Sequence, residues 1–115
     1  MSNMDSKSLK QLLVNHFSAQ EVMPNSFSAT ATTRKLFNNK YMLKLFNNEE
    51  LLQSAKLFLH YDLNISEASK NGYMHRNTLI YRLDCIQKLT GLDIRKFDDA
   101  VVLNNIMIAH DQLTK

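Results

Sequence analysis

The sequence predicts an all-α domain of five to six helices, and three observations carry that prediction. Apolar residues recur at i, i+3, i+4 and i+7 through most of the chain, the spacing of one helix face. Only two glycines and one proline occur in 115 residues, too few turn residues for a β-rich domain of this length. At 44% hydrophobic and 22% charged, the chain is too apolar for disorder and can build a core without metal or disulfide.

Leu9, Leu12, Leu13, His16 and Phe17 mark the first amphipathic helix, with Ser6 as its N-cap. Residues 18–32 contain Pro24, Asn25 and a small polar run beginning at Ser28, and read as a loop. A second helix is predicted over 33–46, with Leu36, Phe37, Tyr41, Leu45 and Phe46 on its apolar side. Asn47-Asn48-Glu49-Glu50 is a helix start with acids in the first turn, followed by Leu51, Leu52, Ala55, Phe58 and Leu59 on one face. That pattern stops near Tyr61. Asp98 and Asp99 open a last helix, in which Val102, Ile106, Ala109 and Leu113 keep helical spacing.

The densest region lies between these two helices. Asn64-Ile65-Ser66-Glu67 is a capping-box pattern: Asn64 can accept from the Glu67 N–H while Glu67 reaches back. Asn71-Gly72 follows seven residues on, and these residue types tolerate the left-handed turn that ends a helix. Ala68 and Ser69 are small enough to let a neighbouring helix approach. After Gly72, Tyr73 and Met74 a longer helix begins. Its Leu79, Leu83, Ile86 and Leu89 face the core, and Gly91 ends it. The opposite face and the tip present His75, Arg76, Asn77, Tyr81 and Arg82. Arginine can donate twice to guanine and asparagine can pair twice with adenine. His, Thr, Tyr and Arg all donate to phosphate oxygens, and the tip of a recognition helix is the part that enters the major groove. A short helix, a turn and a longer helix also occur in bundles that bind no DNA.

The net charge of +3 is compatible with nucleic acid without identifying it. Its distribution is more informative. Residues 1–48 carry six basic and two acidic side chains, and residues 49–115 carry eight basic and nine acidic. The second half therefore depends on locally placed charges to bind a polyanion. The predicted basic helix supplies Arg34, Lys35, Lys40 and Lys44, and the short helix supplies Lys70. All five are candidate phosphate contacts. The basic helix is equally a solvated face, or a dimer seam through Leu36, Phe37, Tyr41 and Met42.

Little else points to chemistry. One cysteine, Cys85, excludes an intramolecular disulfide. No apolar run approaches a membrane span, and the N-terminus lacks the basic flank and apolar core of a secretory signal. These features suggest a reducing, cytoplasmic compartment and no membrane partner. His16, His60, His75 and His110 are scattered, without metal-ligand spacing. Cys85 has no basic neighbour in sequence to activate it, Asp98-Asp99 suits a helix start, and no glycine-rich phosphate loop exists. The expectation is a protein that is not an enzyme and carries no cofactor or metal.

The run HRNTLIYRL at 75–83, the upstream NISEAS at 64–69, and Ile86 followed by Leu89-Thr90-Gly91-Leu92-Asp93 resemble the C-terminal helix-turn-helix domain of the sugar-diacid and purine-catabolism regulators (CdaR/PucR type). That domain is related in architecture to the DNA-binding end of the Fis protein. The resemblance covers roughly residues 50–113. It implies a DNA-binding domain over 49–115, preceded by an N-terminal helical arm or dimerisation segment over 1–48. It makes 64–71 the positioning helix and 75–89 the recognition helix. His75, Arg76, Asn77, Thr78, Tyr81 and Arg82 carry over as family-matched positions, of which Thr78 and Tyr81 could equally fix the turn or pack on the positioning helix. It further implies double-stranded DNA as partner, a homodimer on paired half-sites, and a larger regulator or sensor as a candidate partner.

The sequence departs from that family in four places. Ser69 and Gly72 stand where alanine and an aliphatic residue are usual, so Gly72 should thin the motif's small core. Ile80 and Asp84 stand where basic residues are common, which leaves the reading face less positive. The residues before Asn64 cannot hold the large sensor region such regulators usually carry, so the chain is either a compact stand-alone regulator or a fragment of one. The functional expectation is a sequence-specific duplex-DNA-binding transcriptional regulator. The alternative is a helical protein-interaction module, an adaptor or an inhibitor, that has the fold without reading DNA.

Overall fold

Asparagine side chains set three of the helix starts among the described residues. In the computed structural model, which describes residues 6–18 and 31–113, seven α-helices follow one another. They are α1 (Ser6–Phe17), α2 (Ala31–Phe37), α3 (Lys40–Phe46), α4 (Glu49–His60), α5 (Ile65–Asn71), α6 (Arg76–Thr90) and α7 (Phe97–Leu113). Asn39, Asn48 and Asn64 sit in extended backbone before α3, α4 and α5, and each side-chain oxygen accepts N–H groups of the helix it opens. Such caps satisfy donors that a helix start otherwise leaves orphaned.

One of these caps corrects the helix count. The helix predicted over 33–46 is two helices, so the described residues hold seven instead of five or six. Asn39 breaks it: its backbone is extended and its Oδ1 accepts from Tyr41 N–H at 2.8 Å and Met42 N–H at 3.4 Å. Asparagine offers the backbone a local partner outside the helix, and here that partner wins. Ser6 is counted within α1, and Ala31 and Thr32 open α2 inside the predicted loop. Residues 19–30 of that loop, including Pro24 and Asn25, lie outside the described residues, as does the N-terminus read for a signal.

α6 is the central element, packed against α1, α3, α4 and α5, while α7 packs against α1 and α4. The shared core includes Leu9, Leu13 and Phe17 of α1, Phe58 of α4, Leu79, Leu83 and Ile86 of α6, and Leu103 and Ile106 of α7. Leu36, Phe37 and Met42 are buried in this same core, which removes them as the contact surface of a dimer seam. Leu12, expected on the apolar face of α1, is 42% exposed. Aromatic rings join the α2–α3 pair to its neighbours: Phe37 stacks on Phe17 of α1, and Phe46 stacks on His110 of α7 with centroids 3.9 Å apart. Burial pushes the His110 imidazole below its ordinary pKa.

Polar groups tie the ends together. Buried Asn105 on α7 donates from Nδ2 to the Phe17 carbonyl at 2.9 Å. Asp99, in the first turn of α7 as predicted, is buried, accepts the Asp93 N–H at 2.9 Å and pairs with Lys10 at 3.4 Å. It therefore anchors the loop before α7 as well as complementing that helix's dipole. No helix among the described residues is long and apolar enough to cross a membrane.

Candidate nucleic-acid interface

The helix-turn-helix is built from α5, a tight turn and α6. Asn64 Oδ1 accepts the Glu67 N–H at 2.9 Å, as the capping pattern predicts. The Glu67 carboxylate approaches Asn71 Nδ2 at 3.5 Å, one turn along. Ala68 and Ser69 are buried, which lets α6 pack closely against α5. The Ser69 hydroxyl donates to the Ser66 carbonyl at 3.2 Å, so serine in place of alanine introduces no unsatisfied polar group.

The turn departs from its sequence reading. Tyr73 N–H donates to the Lys70 carbonyl at 3.2 Å, and Met74 N–H donates to the Ser69 carbonyl at 3.0 Å. This pairing is a Schellman turn, whose left-handed residue is normally glycine. Here that residue is Tyr73, at φ 55°, while Gly72 has φ −91°. Gly72 answers a different need. A Cβ at Gly72 would collide with Leu57 Cδ2 and crowd the Ala68 carbonyl oxygen at 3.1 Å. Leu57 of α4 therefore fills the space that the missing side chain leaves, and the motif's core is not thinned.

His75 is the N-cap of α6. Its backbone is extended, and its Nδ1 accepts the Asn77 N–H at 3.0 Å. In the neutral ring this places the proton on Nε2. Arg76 and Asn77 follow as exposed residues of the first turn, where the helix dipole favours negative charge. Leu79, Leu83, Ile86 and Thr90 are buried on the opposite side. Tyr81 is exposed one turn beyond Asn77. A hydrogen bond with Cys85 pushes its phenol above the ordinary value. Thr78 is half-buried, and its N–H donates to the His75 carbonyl at 2.9 Å.

Arg82 occupies a different setting. Its side chain is 24% exposed, with Nη2 3.7 Å from Glu50 of α4. Its Nη1 donates to the buried Ser54 hydroxyl at 3.2 Å. The structure thus brings His75, Arg76 and Asn77 together at the tip and holds Arg82 on the α4 flank. Asp84 is compensated: Arg95 Nη2 sits 2.9 Å from its carboxylate, and the same guanidinium reaches Asp93 at 2.7 Å and Gln87 at 3.1 Å. Burial alone would push the Asp93 carboxyl up, but hydrogen bonds from the Arg95 side chain and backbone hold it below the usual range.

Of the candidate phosphate contacts, Arg34, Lys35, Lys40, Lys44 and Lys70 are all exposed. Lys70 lies in the last turn of α5, three residues before Tyr73. Lys44 shares a groove with Lys88 and Leu89 near the far end of α6, about 18 Å along the helix from Arg76. Lys40 lies 5.1 Å from the centre of the Tyr41 ring. Among the described residues no group of three His, Cys, Asp or Glu side chains could hold a metal ion. Sequence reasoning missed Glu50 and Ser54 as the anchors of Arg82, because nothing local links residues 28 or more positions apart.

The family model of the PucR C-terminal helix-turn-helix domain matches residues 51–107. The chain is 32% identical over 83 residues, 72% of its length, to the uncharacterized protein YsfB of Bacillus subtilis (strain 168), of which it covers 23%. It is 40% identical over 62 residues, 53% of its length, to the carbohydrate diacid regulator of Escherichia coli (strain K12), of which it covers 16%. It is 38% identical over 48 residues, 42% of its length, to the purine catabolism regulatory protein of Bacillus subtilis (strain 168), of which it covers 9%. The chain thus spans less than a quarter of the length of these curated relatives. No solved structure matches it at a significant level.

Proposed function

We propose, from the fact that residues 51–107 belong to the PucR C-terminal helix-turn-helix domain family, that this chain is a sequence-specific duplex-DNA-binding regulator of transcription. Two of its relatives carry regulator names. The observation that carries the reading is the first turn of α6. His75 caps it through Nδ1, so the imidazole has its Nε2 left for an outside acceptor, and Arg76 and Asn77 stand exposed beside it. Arg76 and Asn77 read base edges, while His75 Nε2, Thr78, Tyr81 and Lys70 serve the phosphates. Arg82 joins the DNA face from the α4 flank, positioned by Ser54 and Glu50. Arg34, Lys35, Lys40 and Lys44 extend the positive surface away from the tip.

The protein works in the cytoplasm without catalysis, metal or cofactor. It binds as a homodimer that sets two recognition helices on paired half-sites. Residues 49–115 form the reading domain. Residues 1–48 are a helical arm or dimerisation segment, which braces it through α1 and α3, packed on α6. A larger regulator or sensor is a further partner.

The test is selection of duplexes from a genomic pool, followed by binding titrations over a range of salt. The expected outcome is a selected sequence bound with affinity that falls steeply as salt rises, through counterion release. Arg76→Ala should weaken that binding by about 1–3 kcal/mol. The second reading, a protein-interaction module, is favoured by the Glu50 carboxylate beside Arg82 and by the acidic balance of residues 49–115. Failure to bind any duplex at low salt would select it.

A further inference from the structure

We propose that Tyr73, in the turn between α5 and α6, is a further DNA contact, with its hydroxyl donating to a phosphate beside the groove that the tip enters. The inference rests on the DNA-binding reading above. Tyr73 is 96% exposed, so its ring adds almost nothing to the core. Yet it holds the left-handed position of a Schellman turn, at φ 55°. Glycine adopts that conformation freely, and residues with a Cβ adopt it under strain. The neighbouring Gly72 does not hold that position: its own φ is −91°, and it lies against Leu57 of α4. Folding alone therefore favours a small residue at position 73. A large aromatic held under strain in solvent points to a contact outside the chain.

Its neighbours identify the partner. The Tyr73 N–H is bonded to the carbonyl of Lys70, whose side chain is exposed. Two residues on stands His75, so the two Cα atoms lie within about 7 Å, and exposed Arg76 follows. Tyr73 is thus flanked in the chain by Lys70 on one side and by His75 and Arg76 on the other. That set of donors suits a polyanionic backbone, to which a tyrosine hydroxyl donates readily.

Tyr73→Gly and Tyr73→Phe in the full chain test this, each measured for melting temperature and for affinity to the duplex selected with the wild-type protein. Tyr73→Gly should melt roughly 4 °C higher as strain is released. It should also bind DNA about tenfold more weakly. Tyr73→Phe should melt like the wild type and lose a similar affinity, with an unchanged salt slope because no charge is removed. Wild-type affinity in either variant overturns the hydroxyl contact and leaves the DNA-binding reading standing. A lower melting temperature for Tyr73→Gly assigns the ring to the fold and overturns it too. A wild-type protein that binds no duplex overturns the DNA-binding reading, and this inference with it.

Discussion

The two ends of α6 use their polar side chains in opposite ways. At the front, the His75 cap holds the backbone while Arg76 and Asn77 stand exposed. At the rear, polar groups serve the fold. Asp84 and Gln87 both meet Arg95. Thr90 Oγ1 donates to the Ile86 carbonyl at 2.8 Å and accepts the Leu92 N–H at 3.0 Å. Gly91 closes the helix in the left-handed conformation, at φ 81°. On the proposed reading the front end needs the rear fixed, because base-edge hydrogen bonds tolerate little displacement of the tip.

Substitutions can separate these two roles. The largest effect should come from the middle of the helix. Leu83 is fully buried, and Leu83→Ala should cost about 2–5 kcal/mol of stability in denaturant titrations, with DNA binding lost along with the fold. The cap should divide the front end itself. His75→Ala should destabilise by about 1 kcal/mol, whereas His75→Asn should restore the cap and the stability without the imidazole Nε2. Comparing the two in DNA titrations isolates what the ring adds beyond capping. Smaller still is the effect of the surface lysines. Lys70→Ala should reduce the salt slope by about one phosphate contact, and Lys44→Ala, toward the rear of α6, should change it less.

A pH titration reports on the packing of α7. The His110 pKa is lowered in the fold by burial, so below its ordinary value of about 6.5 the unfolded chain binds the proton more readily. Stability is therefore complete above that value and declines as pH falls through the folded value. His110→Phe, which keeps a ring against Phe46, should flatten this decline in thermal melts. If the slope persists in that variant, its source lies outside the α7 packing.

How much of this was legible in the sequence follows from the range of each interaction. The caps at Asn48 and Asn64 were readable because an asparagine oxygen and the N–H it accepts lie three residues apart. The core stripe of α6 was readable from periodicity. Asn38-Asn39 carried the same local signal, but an apolar repeat running across it masked the break between α2 and α3. The turn misled because Gly72 looked like the left-handed residue, while that conformation falls on Tyr73 and Gly72 instead faces Leu57 of another helix. Arg82 and Asp84 were read as free members of a reading face. Their partners, Ser54, Glu50 and Arg95, come from other segments of the chain, and no pattern along α6 announces them.

The proposed function places the reading of DNA in the first turn of α6. The most direct measurement compares Arg76→Ala with the wild type on the selected duplex and on variants changed at each base pair in turn. The predicted result is a melting temperature like that of the wild type, an affinity loss of about 1–3 kcal/mol, and loss of discrimination at one base pair per half-site. A stable Arg76→Ala protein with wild-type affinity and wild-type discrimination at every base pair would contradict it.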